Sequence, residues 1–375
     1  MPVTSAPSRA VLRPALAVTA AVATGCLVLC LSACAPPVAT NPVASTETPP
    51  GGYTGDAALA ELLRPSFASV DPAPAVAAAV IEADGTVRTV FHGADESSVF
   101  EIGSITKTFT GELVAEAIAR GEVELDDTLD EHLDLAGTPV GELAIADLVT
   151  HSSGLPTFPD PDPAWLDRLR AAYEAGEDGI DETLDELLAE ARSVPASSIS
   201  AERQYSNLGA ALVGQALAAA AGTDYQTLLE DRLFGPLGLD AASLPLVDSE
   251  VPTGHLDGAG EAGDPAEPTT LAAYAPAGGI HATLGDLVAY AEAVIDGPLT
   301  GSAAQQAHGE VADTGYFWGL QQVGGHAVVE HGGMTNGFSS MLFIDTTAGT
   351  ASIVLVNRNL GLEGVAETLI AATGR

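Results

Sequence analysis

Strand-like patterns cluster at the two ends of this chain, and the stretch between them carries helical patterns instead. Residues 75–92 read as a hairpin: Ala75–Ile81 is a small apolar run, Ala83-Asp84-Gly85 supplies a turn, and Val87–Phe91 alternates. Strand patterns return at Tyr316–Val323, His326–Glu330, Phe338–Ile344 and Ala351–Asn357, with turns at Gly324-Gly325 and Thr346–Gly349. Between them, Asp181–Arg192 and Leu208–Ala221 read as helices separated by Pro- and Gly-rich loops. A sheet drawn from both ends of a chain needs its middle to leave and return. The pattern therefore predicts an α+β fold, with an α/β domain from 56–149 and 270–375 and a helical domain inserted at 150–269. Two further helices are expected. In the first, Ile105, Phe109, Leu113 and Ala117 recur every four residues until Gly121 stops the run; the second spans Glu363–Ala372.

The N-terminus has a different character. Arg9 and Arg13 precede an uncharged apolar stretch, residues 15–33, which ends in Leu31-Ser32-Ala33-Cys34. This order of regions is that of an export signal, residues 1–33. The ending resembles the lipobox of bacterial lipoprotein signal peptides, which implies cleavage before Cys34 and a diacylglycerol on its thiol. Ordinary signal cleavage and an uncleaved span are the other readings, since the stretch is nearly long enough to cross a bilayer. Residues 34–55 are rich in Pro, Thr, Ala and Gly and read as a flexible spacer. All three cysteines lie at or before Cys34, so cleavage there leaves no internal disulfide. No cysteine–histidine cluster has zinc spacing, so neither a metal nor a cofactor is indicated. A formal net charge of -38 argues against nucleic acid as a partner. It also leaves the lipidated Cys34 as the means of membrane attachment, on the extracytoplasmic face of the cell membrane.

The 13 cationic side chains comprise twelve arginines and one lysine, Lys107. Arginine stays protonated in proteins, whereas a buried lysine can lose its proton. Ser104 stands three residues before Lys107 at the expected helix start, so both occupy one helical face and Nζ can reach Oγ. A serine hydroxyl becomes a useful nucleophile when a neighbour takes its proton. Alone, Ser104 reads equally as an N-cap. Tyr205-Ser206-Asn207 precedes a helix; a phenol beside an ammonium can become a base, and an amide can orient the lysine, though Y-x-N is also a common surface turn. His331-Gly332-Gly333-Met334 falls between two expected strands, where it reads either as a hairpin turn or as a backbone lying close to substrate.

Taken in order, S-x-x-K, Y-x-N and H-x-G resemble the serine β-lactamase and penicillin-recognising DD-peptidase superfamily, in its class C β-lactamase, DD-carboxypeptidase and esterase branch. Phe100–Gly103, His151–Pro156, Gly278-Gly279-Ile280 and Gly337–Ser340 extend the likeness over roughly residues 70–370. The resemblance implies a β-lactamase/transpeptidase-like fold: an antiparallel sheet flanked by helices, plus an all-helical domain. It implies an acyl-enzyme on Ser104, with Lys107 and Tyr205 as the proton-transfer pair and Asn207 supporting them. The N–H groups of Ser104 and Met334 would form the oxyanion hole, and His331, Gly332 and Gly333 would line the substrate. The implied partner is a small molecule or a peptidoglycan peptide, handled by a monomer. Class C β-lactamases typically carry lysine at the position of His331; histidine there is similar to some DD-peptidases and esterases. An unperturbed histidine is a poorer carboxylate anchor, for which Arg358 is the nearby substitute in sequence. The other readings are a non-catalytic penicillin- or peptidoglycan-binding sensor lipoprotein, and an esterase or D-aminopeptidase of the same fold.

Overall fold

The computed structural model describes residues 52–373 apart from 160–166, 168, 170, 173 and 310. The expected signal peptide, Cys34 and most of the expected spacer lie outside the described residues. The described strands are β1 (Tyr53–Gly55), β2 (Val76–Ile81), β3 (Val87–His92), β4 (Val99–Glu101), β5 (Gly258–Ala259), β6 (Pro265–Ala266), β7 (His281–Thr283), β8 (Gly319–Val323), β9 (His326–Met334), β10 (Ser339–Asp345) and β11 (Thr350–Val356). Seven of them form an antiparallel sheet in the order β1-β3-β2-β11-β10-β9-β8. The N-terminal hairpin thus pairs with the C-terminal strands through β2 and β11. Closing the sheet in this way requires the chain between β3 and β8 to fold as a separate excursion.

Alternation decides what packs on each face. Ala77, Ala79, Ile353 and Leu355 face one core with Phe109 and Leu113 of α2 (Thr106–Arg120). Their neighbours Val76, Ala78, Val354 and Val356 face a second core with Leu59 and Leu63 of α1 (Ala57–Phe67). Because both faces are covered, β2 and β11 are buried at every position, which explains why they read as apolar runs rather than alternating ones. Each fully buried leucine contributes roughly 1.5–3 kcal/mol of transfer free energy. The first core continues into the middle of the chain through α3 (Leu184–Ser193) and α4 (Asn207–Ala221). The remaining long helices are α5 (Leu284–Asp296), on the first core, and α6 (Glu363–Ile370), on the second.

The structure departs from the sequence reading in three places. The spacer does not run to residue 55: Tyr53 is buried against the His92 ring, and β1 pairs with β3. The strand expected from Tyr316 begins at Gly319, because Phe317 (φ 60°) and Trp318 turn into the core, where the Trp318 indole donates to Glu112 Oε1 at 3.0 Å. And His331–Met334 is no turn. β9 runs through it, with Gly332 opposite Met341 and Gly333 opposite Ser340 on β10.

Beside that segment, Glu330 is desolvated and faces the Glu363 charge on α6, so its carboxyl is pushed up to about 7. Its folded pKa exceeds its unfolded value, so this stability is complete at acid pH and is lost as pH rises through about 7. Glu330→Gln should therefore raise Tm at pH 8 and have much less effect at pH 5, as read by thermal unfolding at both pH values. An equal shift at both would contradict the assignment.

Candidate active site

Ser104 sits in a single 3-10 turn, Gly103–Ile105, that feeds directly into α2. Its side chain caps no helix. Ser104 Oγ instead lies 3.0 Å from Lys107 Nζ and accepts a hydrogen bond from the Tyr205 hydroxyl at 2.8 Å. Lys107 is wholly buried on the first turn of α2. Its Nζ has two further neighbours, Asn207 Oδ1 at 2.7 Å and the carbonyl of Ala277 at 2.5 Å. Asn207 reaches it as the first residue of α4, whose N-terminus Ser206 caps by accepting the Gly209 N–H at 2.9 Å.

No carboxylate stands among the described hydrogen-bond partners of Nζ, and burial drives the Lys107 pKa well below its usual value. Nζ lies within hydrogen-bond distance of three oxygens: Ser104 Oγ, Asn207 Oδ1 and the Ala277 carbonyl. An amine that has shed its proton keeps two N–H donors for the amide and carbonyl oxygens and has a lone pair with which it can take the Ser104 proton. The Tyr205 ring lies beside Nζ, 4.8 Å from ring centroid to nitrogen, and desolvation raises the phenol pKa. The Tyr205 O–H donates to Ser104 Oγ, so phenol, hydroxyl and amine form one hydrogen-bonded chain.

Two glycines bring the serine turn against β9. A Cβ on Gly333 would meet the Ile102 carbonyl at 1.9 Å, and one on Gly103, at φ +51°, would meet Met334 N at 2.6 Å. Ser340 Oγ donates to that same Ile102 carbonyl at 2.7 Å, locking the turn to the sheet. The backbones of Ser104 and Met334 are therefore brought to one place, as an oxyanion hole requires. In front of them opens a cleft of about 170 Å³, lined by Phe158, Ile180, Leu271 and Tyr274, with Glu177 and Asp178 as the formally charged groups among its described lining residues.

His331 is engaged with its own strand. Its Nδ1 hydrogen-bonds the Gly332 carbonyl at 2.6 Å, and its ring centroid stays 6.4 Å from that of Tyr205. Desolvation and the nearby Lys107 push its pKa down to about 4, so it is neutral at physiological pH. Arg358 is no substitute charge either. It is buried and donates to the carbonyls of Asp71, Pro72 and Glu261. In the sequence His151 stands out only within a longer string, yet it supports the site directly. Its Nδ1 accepts the Ser206 N–H at 3.2 Å, and its ring packs on Tyr205 with centroids 4.5 Å apart. His151 positions Tyr205; its left-handed backbone (φ 56°) is the kind of signal that composition does not carry. Ala277, whose carbonyl holds Lys107, carried no signal at all.

Comparison with known proteins follows from this geometry. A family model described as Beta-lactamase matches residues 67–374. The chain belongs to this beta-lactamase family. Among curated relatives it is 28% identical over 225 residues to a beta-lactamase of Pseudomonas fluorescens, an alignment covering 59% of this chain and 57% of that one. It is 26% identical over 291 residues to penicillin-binding protein 4 of Amycolatopsis lactamdurans, covering 69% and 72%. With the D-alanyl-D-alanine-carboxypeptidase/endopeptidase AmpH of Escherichia coli K12 it shares 30% over 206 residues, 51% of this chain and 47% of that one. The chain thus spans little more than half, or less, of several relatives it matches. The fold is that of the class C β-lactamases. A beta-lactamase/D-alanine carboxypeptidase from Pseudomonas syringae superposes with TM-score 0.69 at 20% identity, covering 84% of this chain and 99% of the other. A class C beta lactamase from Rhodobacter sphaeroides gives 0.67 at 21%, covering 84% and 97%.

If Lys107 supplies a lone pair, Lys107→Arg should lower kcat by about 10²–10⁴-fold while the circular dichroism spectrum is retained. A folded Lys107→Arg protein turning over at near wild-type rate would exclude the amine as the base.

Proposed function

We propose that this family member is a serine acyl hydrolase acting on neutral esters or amides through an acyl-enzyme on Ser104. The observation that carries the reading is the continuous Tyr205–Ser104–Lys107 hydrogen-bond chain ending on a desolvated amine. Ser104 Oγ attacks the carbonyl carbon as its proton passes to Lys107 Nζ. The tetrahedral oxygen is held by the Ser104 and Met334 N–H groups. Tyr205 relays the proton from Lys107 to the leaving group, and water then cleaves the acyl-enzyme by the same steps in reverse. Asn207 and the Ala277 carbonyl hold Nζ in line throughout.

The preference for neutral substrates rests on charge. β-Lactams and D-alanyl peptides present a carboxylate, and none of the described cleft-lining residues is a cation. Glu177 and Asp178 line it, His331 is neutral, and Arg358 is engaged elsewhere. A carboxylate entering this cleft gains no ion pair and meets negative potential. The sensor reading is disfavoured because a binder needs no deprotonated amine beside its serine.

The ranking of substrates tests this directly. A short-chain nitrophenyl ester should be turned over at least ten times faster, in kcat/KM, than a D-Ala-D-Ala peptide or a chromogenic cephalosporin. Ser104→Ala should abolish both turnover and labelling by a fluorophosphonate probe. A reversed order would assign the enzyme to the peptidase or β-lactamase activities of its relatives; turnover surviving in Ser104→Ala would reject the nucleophile.

We further propose that Cys34 is lipidated and anchors the enzyme outside the cell. The support is the apolar stretch closed by Leu31-Ser32-Ala33-Cys34. Among the described residues no helix is long and apolar enough to cross a membrane. Cys34→Ser should move the protein from the membrane to the soluble fraction and end incorporation of labelled fatty acid. Unchanged labelling would overturn the proposal.

A further inference from the structure

Behind the wall of the cleft, three side chains from distant parts of the chain converge. Glu101 ends β4, His281 begins β7 directly opposite it in the pairing register, and His255 reaches in from a loop. One ligand atom from each lies within 4.8 Å of the other two. Glu101 and His281 are 2% and 1% exposed, and the His255 side chain is 8% exposed. The two imidazole rings stack, with centroids 4.9 Å apart.

The hydrogen bonds leave this cluster incomplete. His281 Nε2 meets the Thr269 carbonyl at 2.9 Å, and a carbonyl only accepts, so the ring proton is on Nε2. His281 Nδ1 therefore carries a lone pair, and that atom is buried without a hydrogen-bond partner. A buried orphan acceptor costs about 1–3 kcal/mol, so its presence calls for an explanation. Glu101 Oε1 already receives the Thr269 N–H at 2.9 Å and lies 3.2 Å from His255 Nε2.

We infer that Glu101, His255 and His281 form a binding site for a divalent first-row transition ion, best fitted by Zn²⁺. Two imidazoles and one carboxylate form a donor set that zinc takes, with a fourth position open. Tetrahedral donors around zinc lie about 3.3 Å apart. The Glu101–His255 pair already has that spacing, and the ligand atom of His281 lies within 4.8 Å of both. The Thr269 carbonyl on His281 Nε2–H is the outer hydrogen bond that fixes a metal-binding tautomer. Binding moves the His255 ring proton from Nε2 to Nδ1 and leaves the carboxylate anionic. The ion ties β4, which leads into Ser104, to the loops holding Thr269 and Thr335, both of which line the cleft. Its role is to stiffen the floor of the site rather than to touch substrate.

The test uses the full-length protein in detergent, stripped with a chelator and then titrated with Zn²⁺ or Co²⁺ alone. One equivalent of Zn²⁺ should bind with a Kd at or below the micromolar range and raise Tm by a few degrees. Co²⁺ should give the visible absorption of a tetrahedral complex with nitrogen donors. His281→Gln should weaken Zn²⁺ binding at least 100-fold and remove the Co²⁺ band, whereas Ser104→Ala should leave both intact. Because the readout is made on the unsubstituted protein first, misfolding of a variant does not obscure it. Only weak binding of many ions, with no cobalt band and no change in Tm, would assign the cluster to a His255–Glu101 ion pair and overturn the inference.

Discussion

Everything at the centre of this protein follows from burying one amine among neutral oxygen atoms. An ammonium group there would lack a counter-charge, and its desolvation would cost several kcal/mol. The Asn207 amide and the Ala277 carbonyl provide two acceptors and no negative charge. Shedding the proton removes that cost and frees a lone pair within reach of Ser104 Oγ. A carboxylate in place of Asn207 would have kept the lysine charged and removed its use as a base.

The architecture serves that burial. Lys107 comes from α2, Asn207 from α4 and Ala277 from the 3-10 helix Ala272–Ala277 before β7, so the pocket of the amine exists only when the helices of the middle and the sheet of the two ends share one core. Gly103 and Gly333 then set the serine turn against β9 with no side chain between. Tyr205, packed on the neutral His151 ring, closes the far side. Position is supplied by packing and protonation by the absence of charge.

Much of this was legible before folding. The hairpin at 75–92, the stop at Gly121 in its left-handed conformation, and the return of strands after residue 316 are local patterns, and local physics decides them. The lone lysine three residues after a serine identified the reacting pair, since spacing along one helix is a short-range property. What could not be read depends on contacts between distant residues. His331 is a plain histidine in sequence, but its neutral state comes from desolvation beside Lys107. Gly332 and Gly333 looked like a turn because glycine breaks strands; here both lie inside one, and the close approach of Ile102 requires a glycine at Gly333. Arg358 looked available, yet three backbone carbonyls take it up. In the Glu101, His255 and His281 cluster the first two members stand 154 positions apart, too far for any spacing rule to detect.

The acid-lined cleft has a consequence for turnover in an acyl hydrolase of the proposed kind. Cleaving a neutral ester creates a carboxylate in front of Glu177 and Asp178. At the moment of its formation the product acquires a charge that the substrate lacked, among described lining residues that include no cation. Repulsion then favours departure over re-binding, so accumulated acid should compete poorly with fresh ester. A surface of net charge -38 extends the same bias outward, and the direction of the reaction is written into the electrostatics of its exit.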